Sequence, residues 1–239
     1  MTPKKLIGIL GIAAVIAGAG VYLASQAEHT QNTDELDFVS NPEDYVDNRL
    51  EKPLNIDQNV SFMPIEVPSF GLIDFNEKPF KKEDMAGTYS LVYFGFVNCP
   101  DVCINSTDGL NQAYEMLTDA ERAKVRVYYF SFDTDRDTPE KLKEYLSAFN
   151  EEFIGISGHG IYKQTMGKVM HSFDIIADKK KSKHTYAFTH SNHSYMLDDN
   201  ANFLTHYNYQ TVTEHPEKIV EDLRHIWAQK AKESPVKGG

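Results

Sequence analysis

An α/β domain, with a central mixed sheet flanked by helices, is the fold this sequence predicts, and three observations predict it. Two nearly unbroken apolar runs, "YSLVYFGF" from Tyr89 to Phe96 and "VRVYYFSF" from Val125 to Phe132, fit strands buried on both faces. Each run is followed by a stretch of helical periodicity. Towards the C-terminus two more strand-like runs flank a turn and lead into a last helix.

After the first strand, Leu110, Ala113, Tyr114 and Leu117 recur at i, i+3, i+4 and i+7, which is the apolar face of a helix. The second strand leads into "DTDRDTPEKLKEYLSAF". There Thr138 reads as an N-cap, Pro139 as the first helical residue, and Leu142, Tyr145, Leu146 and Phe149 as the buried face. Strand, helix, strand, helix is a βαβα unit, which implies a parallel strand pair. A third helix is expected around Ile161 to Phe173. The runs "HSYML" and "NFLTHYNY" then form a hairpin about Asp198 to Ala201. The closing helix has Pro216 in its first turn and buries Ile219, Val220, Leu223, Ile226 and Trp227. A βαβ half followed by a ββα half describes a thioredoxin-like sheet covered by helices.

The rest of the chain divides into appendages. Lys4 and Lys5 precede 19 uncharged residues, Leu6 to Ala24, about the length that crosses a bilayer as a helix. Positive flanks stay in the cytoplasm, so the remainder is expected on the far side of the membrane. Ser25, Gln26 and Ala27 also offer a signal-peptidase site, but the apolar run exceeds the roughly 7 to 15 residues of a signal-peptide core. No cysteine follows the span that could carry a lipid. Residues 1–27 therefore read as an anchor, 28–60 as a polar acidic stalk, 61–229 as the domain and 230–239 as a frayed tail.

With 24 basic and 35 acidic side chains the formal charge is −11, which argues against nucleic acid and against an anionic membrane surface as partners. A basic or metal-bearing partner suits such a surface, although acidity alone also keeps a domain soluble.

Both cysteines, Cys99 and Cys103, lie in "FVNCPDVCIN", at the end of the first buried strand and the start of a helix. The free N–H groups and dipole of a helix start favour thiolate there. Three readings stay open on spacing: a redox pair, a structural disulfide, or two metal ligands. Thiol oxidoreductases usually carry C-x-x-C. Here three residues intervene, so on a helical turn the sulfurs stand at i and i+4 on one face, able to meet one ion and still able to close a disulfide.

Two thiolates need a further ligand, most naturally an imidazole. Among nine histidines, His190 and His193 sit immediately before a strand in "YAFTHSNHSYMLDD", in the part of such a fold that approaches the cysteine turn. Spacing does not choose between them, and His184 is a more distant candidate. Two thiolates and one imidazole suit Cu(I) in a trigonal arrangement, whereas Zn(II) normally takes four ligands in a structural site.

Three elements together carry a family resemblance: "YFGFVNCPDVC", "SFDTDRDTPEKLKEYL" and "THSNHSYMLDDNANFL". In this order they resemble the Sco (SenC-type) proteins, exported thioredoxin-fold copper chaperones for cytochrome c oxidase assembly, over roughly residues 60 to 228. The resemblance implies that Cys99, Cys103 and His190 are copper ligands, because His190 takes the family's histidine position ahead of Tyr195-Met196-Leu197-Asp198. His193 falls where the family usually has a small or apolar residue, and is either incidental or an auxiliary contact. Ile104 stands where the family often has proline, and "DDNA" replaces the commoner D-P-x-G turn. Both departures bear on loop shape and partner recognition.

For Asp133, Asp135, Arg136 and Asp137 two roles compete. They act around the metal or in docking, or they are structural, with Arg136 neutralising carboxylates and capping the following helix.

The expectation is a single-pass protein of the bacterial cytoplasmic membrane with a periplasmic domain that binds copper, as Cu(I), Cu(II) or both. It delivers that copper to the copper-binding subunit of cytochrome c oxidase, and other copper chaperones or thiol reductants serve as further partners. It is not expected to be an enzyme. The alternative is a thiol-disulfide oxidoreductase that reduces the oxidase cysteines, with Cys99 attacking and Cys103 resolving, in which His190 is dispensable. A peroxidase of the same fold is weaker, since "FVNCPDVC" lacks threonine-rich surroundings.

Overall fold

The structure, a computed structural model, describes residues 67–233 apart from residues 182 and 184. The apolar span Leu6 to Ala24, the stalk and His184 lie outside the described residues. Among the described residues no helix is long and apolar enough to cross a membrane.

Seven strands form one mixed sheet in the order β2-β1-β5-β4-β3-β8-β9. Its centre is β3 (Tyr89–Gly95), β4 (Val125–Ser131) and β5 (Ile154–Ser157), all parallel. The expected parallel pair, β3 with β4, is in register from Tyr89 opposite Val125 to Gly95 opposite Ser131. Every residue of β3 is buried, as an unbroken apolar run requires of a strand covered on both faces. On one side β8 (Ser194–Leu197) and β9 (Phe203–Tyr207) add antiparallel strands; on the other, β1 (Gly71–Asp74) and β2 (Pro79–Lys81) do the same.

The helices are α1 (Val102–Glu115), α2 (Asp119–Arg122), α3 (Pro139–Ser147), α4 (Lys163–Ser172), α5 (Tyr209–Glu214) and α6 (Glu217–Glu233). Leu110, Ala113, Tyr114 and Leu117 are buried as their spacing predicts. Thr138 caps α3 by accepting the Lys141 N–H, with Pro139 at the first position. In the β8–β9 turn, Asp198 Oδ1 accepts the N–H groups of Asn200 and Asn202, each at 2.8 Å.

Several features depart from the sequence-based expectation. Helix α6 starts at Glu217, so Pro216 stands just ahead of it, and it continues to Glu233, four residues into the expected tail. Strand β5 is only "IGIS", with Gly155 set against Leu142 and Leu146 of α3; four residues around a glycine give no periodic signal. The hairpin β1–β2 is equally short.

A separate two-stranded ribbon pairs β6 (Ala177–Lys181) with β7 (Tyr186–His190). "ADKKK" has no strand pattern in its side chains, and backbone pairing holds it extended. His190 therefore ends a strand of its own, opposite Ala177, and is not part of a lead-in to the next strand.

Helix α1, which carries Cys103, is seated on α5 at Gly109. A Cβ there would stand 2.2 Å from the Val212 carbonyl oxygen. Gly109→Ala is expected to destabilise the fold by about 1–3 kcal/mol, outweighing alanine's helix propensity, as a lowered midpoint in denaturant unfolding would show.

Candidate metal centre

The site is built where β3 ends. Phe96 is fully buried, the chain turns, and the Cys99 N–H returns to the Phe96 carbonyl at 3.2 Å. Cys99 stands in this turn, two residues before the N-cap Asp101, while Cys103 lies in the first turn of α1. The cysteines thus do not share a helical face, which corrects the expectation from their spacing. Their i, i+4 relation survives in another form. The Asp101 side chain caps no helix N–H, and the Cys103 N–H donates to the Cys99 sulfur at 3.4 Å. A sulfur takes up one of the orphan donors of the helix start.

Both cysteines are unpaired thiols and nearly sealed from solvent, Cys99 at 3% exposure and Cys103 at 0%. Their acidities diverge. The Cys103 side chain donates to Cys99 and, with the N–H groups of Asp101 and Cys103, brings the Cys99 thiol down to about 5 despite its burial. Burial pushes Cys103 well above the ordinary thiol range, and a neighbouring Cys99 thiolate pushes it the same way. The pair is thus polarised, with Cys99 the more acidic thiol and Cys103 the one that keeps its proton.

His190, 5% exposed, comes in from the end of β7. Its Nδ1 lies 2.9 Å from the Ser191 carbonyl oxygen. A carbonyl only accepts, so in the neutral ring Nδ1 carries the hydrogen and Nε2 presents its lone pair. Nε2 is 3.6 Å from Cys103 Sγ. The rings of Phe96 and Phe132 meet the imidazole edge-to-face at 6.0 and 5.0 Å and wall it off from water.

The donor set fits a soft ion. Bonds of about 2.3 Å to sulfur and about 2.0 Å to nitrogen, opened to a trigonal angle, set S and N about 3.7 Å apart, close to the observed contact. Among the described residues no three His, Cys, Asp or Glu side chains already enclose one point. Binding a metal would draw these three from a hydrogen-bonded into a coordinated arrangement.

Sequence reasoning missed the residues that hold the loop after His190. Asn192, buried, accepts at Oδ1 from the Tyr93 hydroxyl at 2.7 Å and from the Ser106 hydroxyl at 3.2 Å. One side chain thereby ties the histidine loop to β3 and to α1. Thr107 adds a bond to the Cys103 carbonyl at 2.6 Å. Asparagine, tyrosine and serine at separations of about ninety residues leave no motif; only the sheet brings them together.

The acidic segment makes structural contacts on both sides of the site. Asp137 Oδ2 accepts the Val97 N–H at 2.8 Å and the Ser131 hydroxyl at 2.6 Å, fixing the turn that leads into Cys99. Asp133 accepts from Arg136 Nε at 2.5 Å and from the Tyr186 hydroxyl at 2.7 Å; Arg136 donates on to the Tyr186 carbonyl and lies over its ring at 3.7 Å. This pair pins the ribbon that carries His190. Arg136 neutralises Asp133 as expected but does not cap α3, a task that Thr138 performs. Asp135 is surface-exposed between Lys163 and Lys179. His193 faces His206, ring centres 5.2 Å apart.

Two thiols of opposed acidity and one oriented imidazole, sealed at the end of a mixed sheet, define a thiol-based site in a thioredoxin-like fold. Comparison with known proteins narrows the class. The SCO1/SenC family model matches residues 59–228, and the chain belongs to that family.

Among relatives, the chain is 38% identical over 136 residues to the mitochondrial protein SCO2 of Saccharomyces cerevisiae, a match spanning 56% of this chain and 45% of the yeast protein. It is 31% identical over 178 residues to an SCO2-like protein of Rickettsia felis, covering 73% and 83% of the two chains. The copper-bound structure of ScoI from Bradyrhizobium japonicum superposes with a TM-score of 0.57 at 29% identity, covering 66% of this chain and 97% of that one.

Two outcomes test the site's architecture. The thiolate absorbance of the apoprotein should titrate near 5, and Cys103→Ala should move that transition upwards, since it removes the largest contact lowering Cys99. By linkage, this group's contribution to stability is complete above the ordinary thiol pKa of about 8.5 and is lost as pH falls through about 5. Asp137→Ala, which strands the Val97 N–H and the Ser131 hydroxyl, should cost about 1–3 kcal/mol in denaturant unfolding.

Proposed function

We propose that the chain is a membrane-tethered copper metallochaperone. Cys99, Cys103 and His190 bind copper, as Cu(I) or Cu(II), and the domain delivers it to the dinuclear copper site of the copper-binding subunit of cytochrome c oxidase during assembly. The 3.6 Å approach of His190 Nε2 to Cys103 Sγ, with Cys99 hydrogen-bonded beside it, carries this reading. It is supported by family membership and by relatives whose structures contain copper.

Copper is cargo here, so the site must release what it binds. Three ligands leave a soft ion open to a fourth. A partner's thiolate would enter there and take the ion. The tether is the span Leu6 to Ala24, which places the domain outside the cytoplasm.

The lowered acidity of Cys99 supports a second reading, reduction of the partner's cysteines. The Cys99 thiolate attacks a partner disulfide and releases one partner thiolate. Cys103 then gives up its proton and attacks Cys99 of the mixed disulfide, leaving a Cys99–Cys103 disulfide and a fully reduced partner. Two electrons pass to the partner.

Copper titration separates the two. The reduced wild-type protein should hold one copper per chain in the thiolate site, and His190→Ala, Cys99→Ser and Cys103→Ser should each weaken it, by at least about tenfold for a lost direct ligand. Equal retention by His190→Ala would overturn the chaperone reading. Disulfide reduction that survives His190→Ala but not Cys99→Ser would establish the second.

A further inference from the structure

The carbonyl that orients the His190 imidazole is itself held from both ends. His190 Nδ1–H donates to the Ser191 oxygen at 2.9 Å, and that oxygen belongs to the peptide unit joining Ser191 to Asn192. A peptide unit is planar, so its oxygen turns only as the backbone of the two flanking residues turns. On the Ser191 side the backbone of Ile176 supplies the hold. The Ser191 N–H donates to the Ile176 carbonyl at 3.1 Å, and the Ile176 N–H donates to Ser191 Oγ at 3.2 Å.

Asn192 lies between β7 and β8, in neither ladder, and there a side chain supplies the hold. The residue is 8% exposed, and its Oδ1 accepts the Tyr93 hydroxyl at 2.7 Å and the Ser106 hydroxyl at 3.2 Å. Both donors are buried. Tyr93 stands on β3, six residues before Cys99, and Ser106 on α1, three residues after Cys103. One oxygen therefore references the histidine loop to the strand and the helix that lead to the two thiols.

We infer that Asn192 is a positioning residue for His190: by fixing the Ser191–Asn192 peptide it aims Nε2 at the cysteine pair. With Nδ1–H committed to the carbonyl, Nε2 keeps its lone pair and stands 3.6 Å from Cys103 Sγ. If that peptide turns, the imidazole loses both its tautomer and its aim. An apolar residue at 192 would free the peptide and strand two buried hydroxyls. The use of this positioning in copper binding rests on the chaperone reading above, whereas the positioning itself does not.

The test uses the full chain, reduced and loaded with Cu(I) alone. Competition with a chromophoric Cu(I) chelator reads affinity, and X-ray absorption reads the ligands. Wild-type protein should show two sulfurs and one imidazole nitrogen. Asn192→Leu should keep both sulfurs, lose or lengthen the nitrogen shell, and bind Cu(I) at least about tenfold more weakly. In the apoprotein, nuclear Overhauser contacts between the His190 and Phe132 rings, whose centres are 5.0 Å apart, should be present in the wild type and lost in Asn192→Leu.

Circular dichroism and denaturant unfolding check the fold. The triple variant Tyr93→Phe, Ser106→Ala, Asn192→Leu strands no hydroxyl, so it should recover stability while its imidazole stays loose. A residue that only stabilised the fold would recover both together. A folded Asn192→Leu protein with the wild-type nitrogen shell and affinity, or with unchanged ring contacts, overturns the proposal. So does recovery of Cu(I) affinity in the triple variant, or failure of both variants to fold. Failure of the chaperone reading is separate: it appears as wild-type protein that takes up no copper while the ring contacts of the apoprotein still depend on Asn192.

Discussion

Asp137 receives the Val97 N–H and the Ser131 hydroxyl on a single buried oxygen, and through these two bonds the ends of β3 and β4 are held against the start of α3. The cysteine turn hangs from that point. Without an acceptor there, the chain leaving β3 would carry a buried donor with no partner, and the path from Phe96 to Cys99 would have to open. Asp133 does the corresponding work four residues earlier in the chain, taking Arg136 and the Tyr186 hydroxyl and so holding the ribbon whose last residue is His190. A short segment following β4 thus sets the separation of the cysteine turn and the His190 ribbon, whose contact joins residues 87 apart in sequence.

Enclosure gives the site its chemistry. Water is excluded by Phe96, Phe132 and Phe188, whose rings meet one another and, from Phe96 and Phe132, the imidazole. In that setting each polar contact acts strongly on acidity. Donors converge on Cys99 and favour its thiolate, while Cys103, the more deeply buried, keeps its proton. The same asymmetry would suit a soft metal, which would replace the proton on Cys103, and a disulfide exchange, in which the attacking role would fall to the more acidic thiol.

The departures from the family pattern lie on the outside of this enclosure. Ile104, in the place of the commoner proline, is 40% exposed beside the sealed Cys103, so the departure changes the surface and not the buried thiol. The "DDNA" turn is held by Asp198, whose carboxylate takes the N–H groups of Asn200 and Asn202, while Ala201 stands at a φ of 57° in the place of the commoner glycine.

Much of this was legible in the sequence. Apolar runs announced β3 and β4 because a strand buried on both faces must be apolar throughout, and helical spacing announced α1, α3 and α6 because each buries one face. The cysteines, and the choice of His190 through family resemblance, followed from motifs. What only the tertiary structure decided is of another kind. Strands β1, β5 and β6 are too short or too polar to show a pattern and exist because a neighbour offers its backbone. The placement of Cys99 off the helix, the locking of Asn192 by Tyr93 and Ser106, and the pairing of His193 with His206 join residues distant in sequence. Periodicity reports which face of one element is buried, but it carries no information about which side chain of another element waits there; the sheet order supplies that.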